Sequence, residues 1–335
     1  MDKPVFPDYT NSIVNFSCSI LKHFGVPVRH NTLPAADAVL EGNYKHVVVL
    51  LLDGLGVNIL EKHLSPDAFL RRHFLTGYSS VFPPTTTAST TSMLSGLTPI
   101  EHGWLGWDVY FEQIDKIVTC FFNTLQGTTT PAADFDVART FLPYDSIHTL
   151  INNAREPGDG SVVPVADLVF PFGPKPFPGI DDWFAEIKRQ TTLDTRTFTY
   201  AYWENPDHGH TDETRVNLEE DYPEIWKMLV RPPSLEHRGI SFYVKDEYKT
   251  LFASEFERLF GSDYVLFTRE EALEKELFGP GEPNANLTGI GDYIAAAVGE
   301  KTLYPSRTLC MRTFKSQHAG MTEAEMKIPL IVWKS

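Results

Sequence analysis

HVVVLLLDGLG, residues 46–56, decides the fold. Residues 47–52 are an unbroken β-branched and leucine-rich run that ends in Asp53-Gly54. The run has the length of a buried strand and is far too short to span a membrane. A strand without polar alternation belongs in a parallel sheet covered on both faces. A helix is predicted to follow at 57–63. Asp53 then sits at the carboxyl end of a core strand, where open α/β sheets place their ligands. Gly54 and Gly56 permit a sharp turn and close backbone approach. By itself the Asp-Gly pair fits equally well a carboxylate that caps the next helix.

Working outward, TFTYAYW (197–203), SFYV (241–244) and IPLIVW (328–333) read as further strands. Helical patterns lie at 248–260, at 270–277 and around 290–298. Strands interleaved with helices predict an α/β sandwich. The interval 108–196 is richer in Pro, Gly and Thr, as in TLQGTTTPAADFD and FPFGPKPFPGIDD. It reads as a lid inserted over one end of the sheet, within a single catalytic domain spanning 1–335.

The bulk properties narrow the function. With 44 acidic residues against 29 basic ones, the chain carries a net charge of −15, which should repel nucleic acid and anionic membranes. The same field opposes a phosphorylated substrate unless cations, a helix N-terminus or a placed Arg reverse it locally. Cys18, Cys120 and Cys310 are too few and too scattered for a disulfide framework. The N-terminal stretch has acids and prolines in place of the basic and apolar regions of a signal peptide. A cytoplasmic protein is the expectation.

Three further segments carry chemistry. In SVFPPTTTASTTSMLSGLTPIEHGW (80–104), hydroxyl residues crowd the stretch from Thr85 to Ser92, where a Pro-Pro turn enters a helix. A hydroxyl there can face an anion beside free N–H groups, and metal coordination would make it a nucleophile. Capping plus a polar helix face is the plainer alternative. ENPDHGHTDE (204–213) packs Asp207, His208 and His210 into one loop after a core strand, a donor set suited to Zn²⁺ and similar metals. QHAGMTEAEMKIPLIVW (317–333) places His318 before a small-residue turn, a helix start and a terminal strand.

In order, LLLDGLG, FPPTTTASTTSMLSGLTPIEHGW, YWENPD with DHGHTDE, and HAGMTEAEMKIPLIVW resemble the alkaline phosphatase superfamily. The closest likeness is to its type I phosphodiesterase/nucleotide pyrophosphatase branch. LEEDYPEIWKMLVRPPSLEHRGISFYVK (218–245) is similar to the stretch after the DHG motif in bacterial members. The resemblance implies a three-layer α/β/α sandwich with a mostly parallel central sheet. It also implies two divalent metals, Zn²⁺ first and Mn or Fe as alternatives, at the carboxyl ends of the strands. Asp53, Thr86, Asp207 and His208 fall on the first metal site and His318 on the second. Thr86 is preferred as nucleophile, with Thr85 as the fallback, because it stands ten residues before Gly96 as in the family.

One feature departs from the family. Members carry a Pro-Asp strand end with a nearby His and, separately, an Asp-His-Gly strand end. Here YWENPD runs directly into DHGHTDE, so Asp207 ends one motif and begins the other. Neighbouring strands lie roughly 4.8 Å apart, and one short loop does not replace two of them. Either the deletion is real, leaving a single-metal site with His210 recruited, or the physical protein has a further segment here. The cost of removing a core strand favours the second reading.

The predicted activity is metal-dependent hydrolysis of a small phosphorylated substrate, a phosphodiester or nucleotide pyrophosphate, through a phospho-threonine intermediate. Phosphonate (phosphonoacetate-type) or phosphomonoester hydrolysis is the enzymatic alternative, and an inactive ligand-binding homologue the non-enzymatic one. Phe121, Phe122, Trp183 and Phe184 are aromatic candidates for stacking a base, with packing as the competing role.

Overall fold

The computed structural model describes residues 3–42, 44–154, 179–203, 214–311 and 317–334, together with the short strand Asp167–Leu168. Its strands are β1 (His46–Leu52), β2 (Phe74–Ser79), β3 (Asp108–Phe111), β4 (Lys116–Thr119), β5 (Thr124–Leu125), β6 (Asp167–Leu168) and β7 (Thr197–Trp203). They continue as β8 (Thr214–Asn217), β9 (Ser234–Leu235), β10 (Gly239–Phe242), β11 (Tyr264–Thr268), β12 (Tyr293–Ala297), β13 (Lys301–Tyr304) and β14 (Lys327–Ile331). The helices that bear on the site are α1 (Ile13–His23), α2 (Val57–His63), α3 (Thr86–Ser95), α4 (Ile180–Gln190), α5 (Lys249–Phe260), α6 (Arg269–Glu274) and α7 (Glu323–Met326).

The fold is α/β, as expected, with sheets of mixed orientation. β1 pairs in parallel with β7, and β7 with β6, so the parallel expectation holds where Asp53 is mounted. The larger sheet, in the order β11-β12-β10-β9-β3-β4-β5, is antiparallel at every pairing. β2 and β14 form an antiparallel pair, and β8 and β13 a parallel one.

Val47 and Val49 of β1 enter a core with Phe198, Tyr200 and Tyr202 of β7, roofed by α1 and α3. On the opposite face Val48 and Leu52 pack with Trp183 and Ile187 of α4. That second cover is incomplete: Leu50 remains 43% exposed, so the run is not buried on both faces throughout. α5 drives Phe252, Phe256 and Phe260 into a second core against β10 and β12.

The helix predicted around 290–298 is instead β12. Its sequence, YIAAA, is buried at all five positions, between β10 and β11. Small side chains let a central strand lie close beneath α5, and that packing overrides alanine's helix propensity. The helices predicted at 248–260 and 270–277 are present as α5, which starts one residue later, and α6, which starts one residue earlier and ends three residues sooner. No helix among the described residues is long and apolar enough to cross a membrane.

Candidate active site

Three chain segments converge at one end of the fold for topological reasons. β1 and β7 run parallel with Leu52 opposite Trp203, so Asp53 leaves the sheet beside the carboxyl end of β7. The Asp53 N–H donates to the Trp203 carbonyl (2.9 Å), extending the ladder by one residue. β2 runs out toward α3, while β14 returns antiparallel to it with Lys327 opposite Ser79. The loop before β14, which carries His318, therefore lies at the end of β2 that leads to Thr86. Gly239 joins the two: a Cβ there would stand 2.6 Å from the Ala319 carbonyl and 3.1 Å from Pro83 Cβ. Only glycine lets the His318 loop and the Pro83 turn close over β10.

Helix α3 is buried except at Thr86 and Ser89, and it fits because its side chains are small. Several of its hydroxyls bond within the helix or to neighbours, while the buried Thr87 Oγ1 has no hydrogen-bond partner among the described residues. Thr90 donates to the Thr86 carbonyl and Ser95 to the Thr91 carbonyl, both at 2.7 Å. Ser92 meets His102 Nε2 at 3.0 Å. Burial pushes the His102 imidazole down to about 3, so it is neutral. Its Nδ1 accepts from the Trp104 N–H, which leaves Nε2–H to donate to Ser92. The His of the EHGW motif thus braces α3 and takes no part in ligand binding. Gly96, at φ +68°, ends the helix in the left-handed conformation.

Thr86, the first residue of α3, is half-exposed, and its Oγ1 donates to Asp53 Oδ2 at 3.2 Å. Tyr202 donates to the same oxygen at 2.6 Å. Burial and the adjacent Asp53 carboxylate hold the Tyr202 phenol well above its ordinary range, so it remains a donor. Thr85 differs sharply: it is 3% exposed, and its Oγ1 donates to Glu236 Oε1 at 2.6 Å. The reachable hydroxyl facing a carboxylate is Thr86.

His318 lies on a turn pinned from below. Ala319 takes φ +89°, and the Gly320 N–H donates to Glu325 Oε1 at 2.9 Å. Arg238 grips both Glu325 oxygens, Nε to Oε1 at 2.8 Å and Nη2 to Oε2 at 3.2 Å. Burial alone would raise the Glu325 carboxyl. Arg238, Thr322 and the Gly320 N–H outweigh it and hold the group below its usual range.

Among the described residues, no group of three or more His, Cys, Asp or Glu side chains is placed to hold a metal ion. Asp207, His208 and His210 lie outside the described residues. The donors that are described do fit a cation. Two oxygens sharing one Zn²⁺ at about 2.0–2.2 Å stand about 3 Å apart, and the Asp53–Thr86 pair is spaced at 3.2 Å. Carboxylate, hydroxyl and imidazole are also the oxygen and nitrogen donors that Zn²⁺, Mn²⁺ or Fe accepts.

Of the aromatic candidates, Trp183 is 1% exposed and packs against Trp203, so its role is structural. Phe121 is partly buried against the core. Phe122 and Phe184 are 50% and 49% exposed, and Phe122 stands edge-on to Trp107. Sequence reasoning passed over Tyr202 and Glu236. Tyr202 carries a polar tip at the end of an apolar strand, and Glu236 interrupts the strand-forming stretch around SLEHRG. Both were visible, but their partners are 149 and 151 residues away.

The model of the type I phosphodiesterase/nucleotide pyrophosphatase family matches residues 47–228, more than half of the chain. No curated protein sequence matches. Among solved structures, murine ectonucleotide pyrophosphatase/phosphodiesterase 5 superposes with a TM-score of 0.53 at 16% identity, covering 84% of this chain and 86% of that one. Its human counterpart gives the same TM-score, 0.53, at 14% identity, covering 84% and 86%. Phosphonoacetate hydrolase from Sinorhizobium meliloti 1021, in complex with phosphonoacetate, gives 0.51 at 13% identity, covering 85% and 88%. These likenesses show a common fold. The family match spans Asp53, Thr86 and the strand beneath them, and the chain belongs to the type I phosphodiesterase/nucleotide pyrophosphatase family of the alkaline phosphatase superfamily, a family of phosphoester hydrolases.

Proposed function

We propose that the chain hydrolyses phosphodiesters or nucleotide pyrophosphates, with Thr86 as the nucleophile. The observation that carries the reading is the Thr86 hydroxyl, half-exposed at the start of α3 and hydrogen-bonded to Asp53 at the end of β1. Thr86 Oγ attacks phosphorus in line, the bond to the leaving oxygen breaks, and a phospho-threonine forms. Water then attacks the same phosphorus, releasing the phosphate product and restoring the hydroxyl. Along the first step the Thr86 proton lies toward Asp53 Oδ2. Tyr202 fixes that oxygen, so the carboxylate cannot swing away from the hydroxyl. The N–H groups of the first turn of α3 face the same end and favour an anion.

Divalent cations would be held by Asp53, Thr86, Asp207 and His208 at one site and by His318 at the other, with His210 as a further donor. When bound they supply Lewis acidity and lower the pKa of the coordinated hydroxyl. A nucleotide as substrate is supported by the murine relative, an inactive threonine-to-alanine variant of which was solved with AMP. A phosphonate is the second reading, supported by the fold likeness to phosphonoacetate hydrolase.

The test is turnover of bis-(p-nitrophenyl) phosphate against p-nitrophenyl phosphate with Zn²⁺ or Mn²⁺, for wild type and Thr86→Ala. The expected result is metal-dependent turnover that prefers the diester and falls by at least about 10³-fold in Thr86→Ala. Preference for the monoester would overturn the substrate class. Full activity in Thr86→Ala would overturn the nucleophile. No turnover of either ester by metal-loaded protein, with phosphonoacetate cleaved, would select the phosphonate reading.

A further inference from the structure

Thr85 occupies the N-cap position of α3, where a threonine ordinarily turns its hydroxyl back to accept an N–H of the first turn. It makes no such bond. Its Oγ1 instead donates to Glu236 Oε1 at 2.6 Å, and the same oxygen accepts the Trp107 N–H at 2.7 Å. One carboxyl oxygen thereby ties the start of the Thr86 helix to the segment leading into β3.

The backbone around Glu236 is arranged to hold this clamp. Leu235, the preceding residue, takes φ +71°, a left-handed conformation that strains a leucine backbone. Gly106, the residue before Trp107, lies so close beneath it that a Cβ would stand 2.8 Å from Leu235 Cα. A strained leucine pressed onto a glycine therefore delivers Glu236 to the Trp107 N–H. The Glu236 residue keeps partial exposure, but its surroundings enclose the carboxyl, and that burial pushes the group up to about 8.

We infer that Glu236 is a positioning residue for phosphoryl transfer: it draws the Thr85 hydroxyl off the end of α3, fixing Thr86 and leaving the first-turn N–H groups to the substrate's anionic oxygens. This rests on Thr86 being the nucleophile. In Glu236→Ala the Thr85 hydroxyl is free to turn back and cap α3, covering those N–H groups and shifting Thr86. Displacements of about 1 Å cost on the order of 10²-fold in rate.

The experiment measures kcat and KM for bis-(p-nitrophenyl) phosphate and inhibition by inorganic phosphate. The proteins are wild type, Thr86→Ala, Glu236→Ala, Glu236→Gln and Glu236→Ala/Thr85→Val, with folding checked by circular dichroism at the assay temperature. Glu236→Ala is expected to lower kcat per folded molecule on the order of 10²-fold and to weaken phosphate inhibition. Gln presents a carbonyl oxygen to the same two donors, so Glu236→Gln should recover most of that loss. The double variant should lose no more than Glu236→Ala, because Glu236 acts through Thr85. Should Glu236→Ala fail to fold, Thr85→Val against Thr85→Ser reads the clamp from its other end, with loss expected in the first and recovery in the second.

Unchanged kcat in folded Glu236→Ala overturns the inference, and so does damage by Gln equal to that by Ala. In either case an inactive Thr86→Ala leaves the proposed nucleophile standing. An active Thr86→Ala would instead remove the reading beneath it.

Discussion

Arg238→Met should uncover how the His318 turn is held. The guanidinium is 2% exposed and Glu325 0%, so the pair is buried at both ends. Removing one partner of such a pair costs about 3–5 kcal/mol, because the other charge is left uncompensated. Glu325 would keep the Thr322 hydroxyl at 2.6 Å and the Gly320 N–H at 2.9 Å, which places the cost at the lower end of that range. At about 2.1 cal/mol/K of unfolding entropy per residue, a chain of 335 residues loses about 4–7 °C in Tm for about 3–5 kcal/mol. Replacing both partners, Arg238→Met with Glu325→Leu, should recover much of the loss, since apolar groups of similar volume substitute well for buried pairs.

The pH dependence fixes the cause. In wild type the Glu325 carboxyl is depressed below its ordinary 4.5, so its contribution is present above that pH and is lost on acidification. In Arg238→Met the orphaned carboxyl is raised instead, so the variant gains relative stability as pH falls and Glu325 takes up a proton. The gap between wild type and variant, followed by circular dichroism melts, should therefore be widest at neutral pH and narrow toward pH 5. A gap independent of pH, or a double variant no better than the single one, would refute a buried charge as the origin.

Tyr202→Phe removes a 2.6 Å hydrogen bond to Asp53, and supports of this kind are worth about 10–100-fold in affinity or activity, so kcat/KM should fall within that range while Tm barely moves. Gly239→Ala should cost activity and stability together, because its Cβ meets the backbone oxygen of Ala319, which cannot rotate away as a flexible side chain would; melts and assays on the purified variant check this. Glu236 has its folded pKa raised from 4.5 to about 8, so its stabilising effect is full in acid and is lost as pH rises toward 8. Glu236→Gln should flatten that part of the curve of denaturation midpoint against pH.

Sequence alone exposed the frame of the site more fully than its supports. β1, β7, α2 and the Thr86 helix announce themselves locally, through apolar runs, a Pro-Pro turn and small residues. Asp53 is legible because a carboxylate after a core strand has a fixed place in α/β sheets. β12 was misread because alanine's local preference is helical, and only its position between β10 and β11 decides otherwise. The antiparallel sheet was missed for a similar reason: its pairings join residues far apart, such as Asp108 with Leu235. Tyr202 and Glu236 belong with these. A side chain whose function is to hold another residue at long sequence separation leaves no local period.

The net charge of −15 sharpens the demand on the site. An anionic substrate must find a field near Thr86 that differs from the global one. The N-terminal end of α3 helps, since the Thr85 hydroxyl is turned away to Glu236. An ionised Glu236 would cancel that gain, but enclosure keeps its carboxyl near 8 and hence largely protonated at neutral pH. It accepts two hydrogen bonds without adding charge beside the nucleophile. Arg238 is not available to the substrate, because Glu325 occupies its fork. What remains is Asp53, whose carboxylate lies 3.2 Å from the hydroxyl that must approach an anionic phosphorus centre. A carboxylate and a phosphate sharing one hydroxyl repel each other unless a countercharge stands between them. The cation proposed at Asp53 would supply that countercharge.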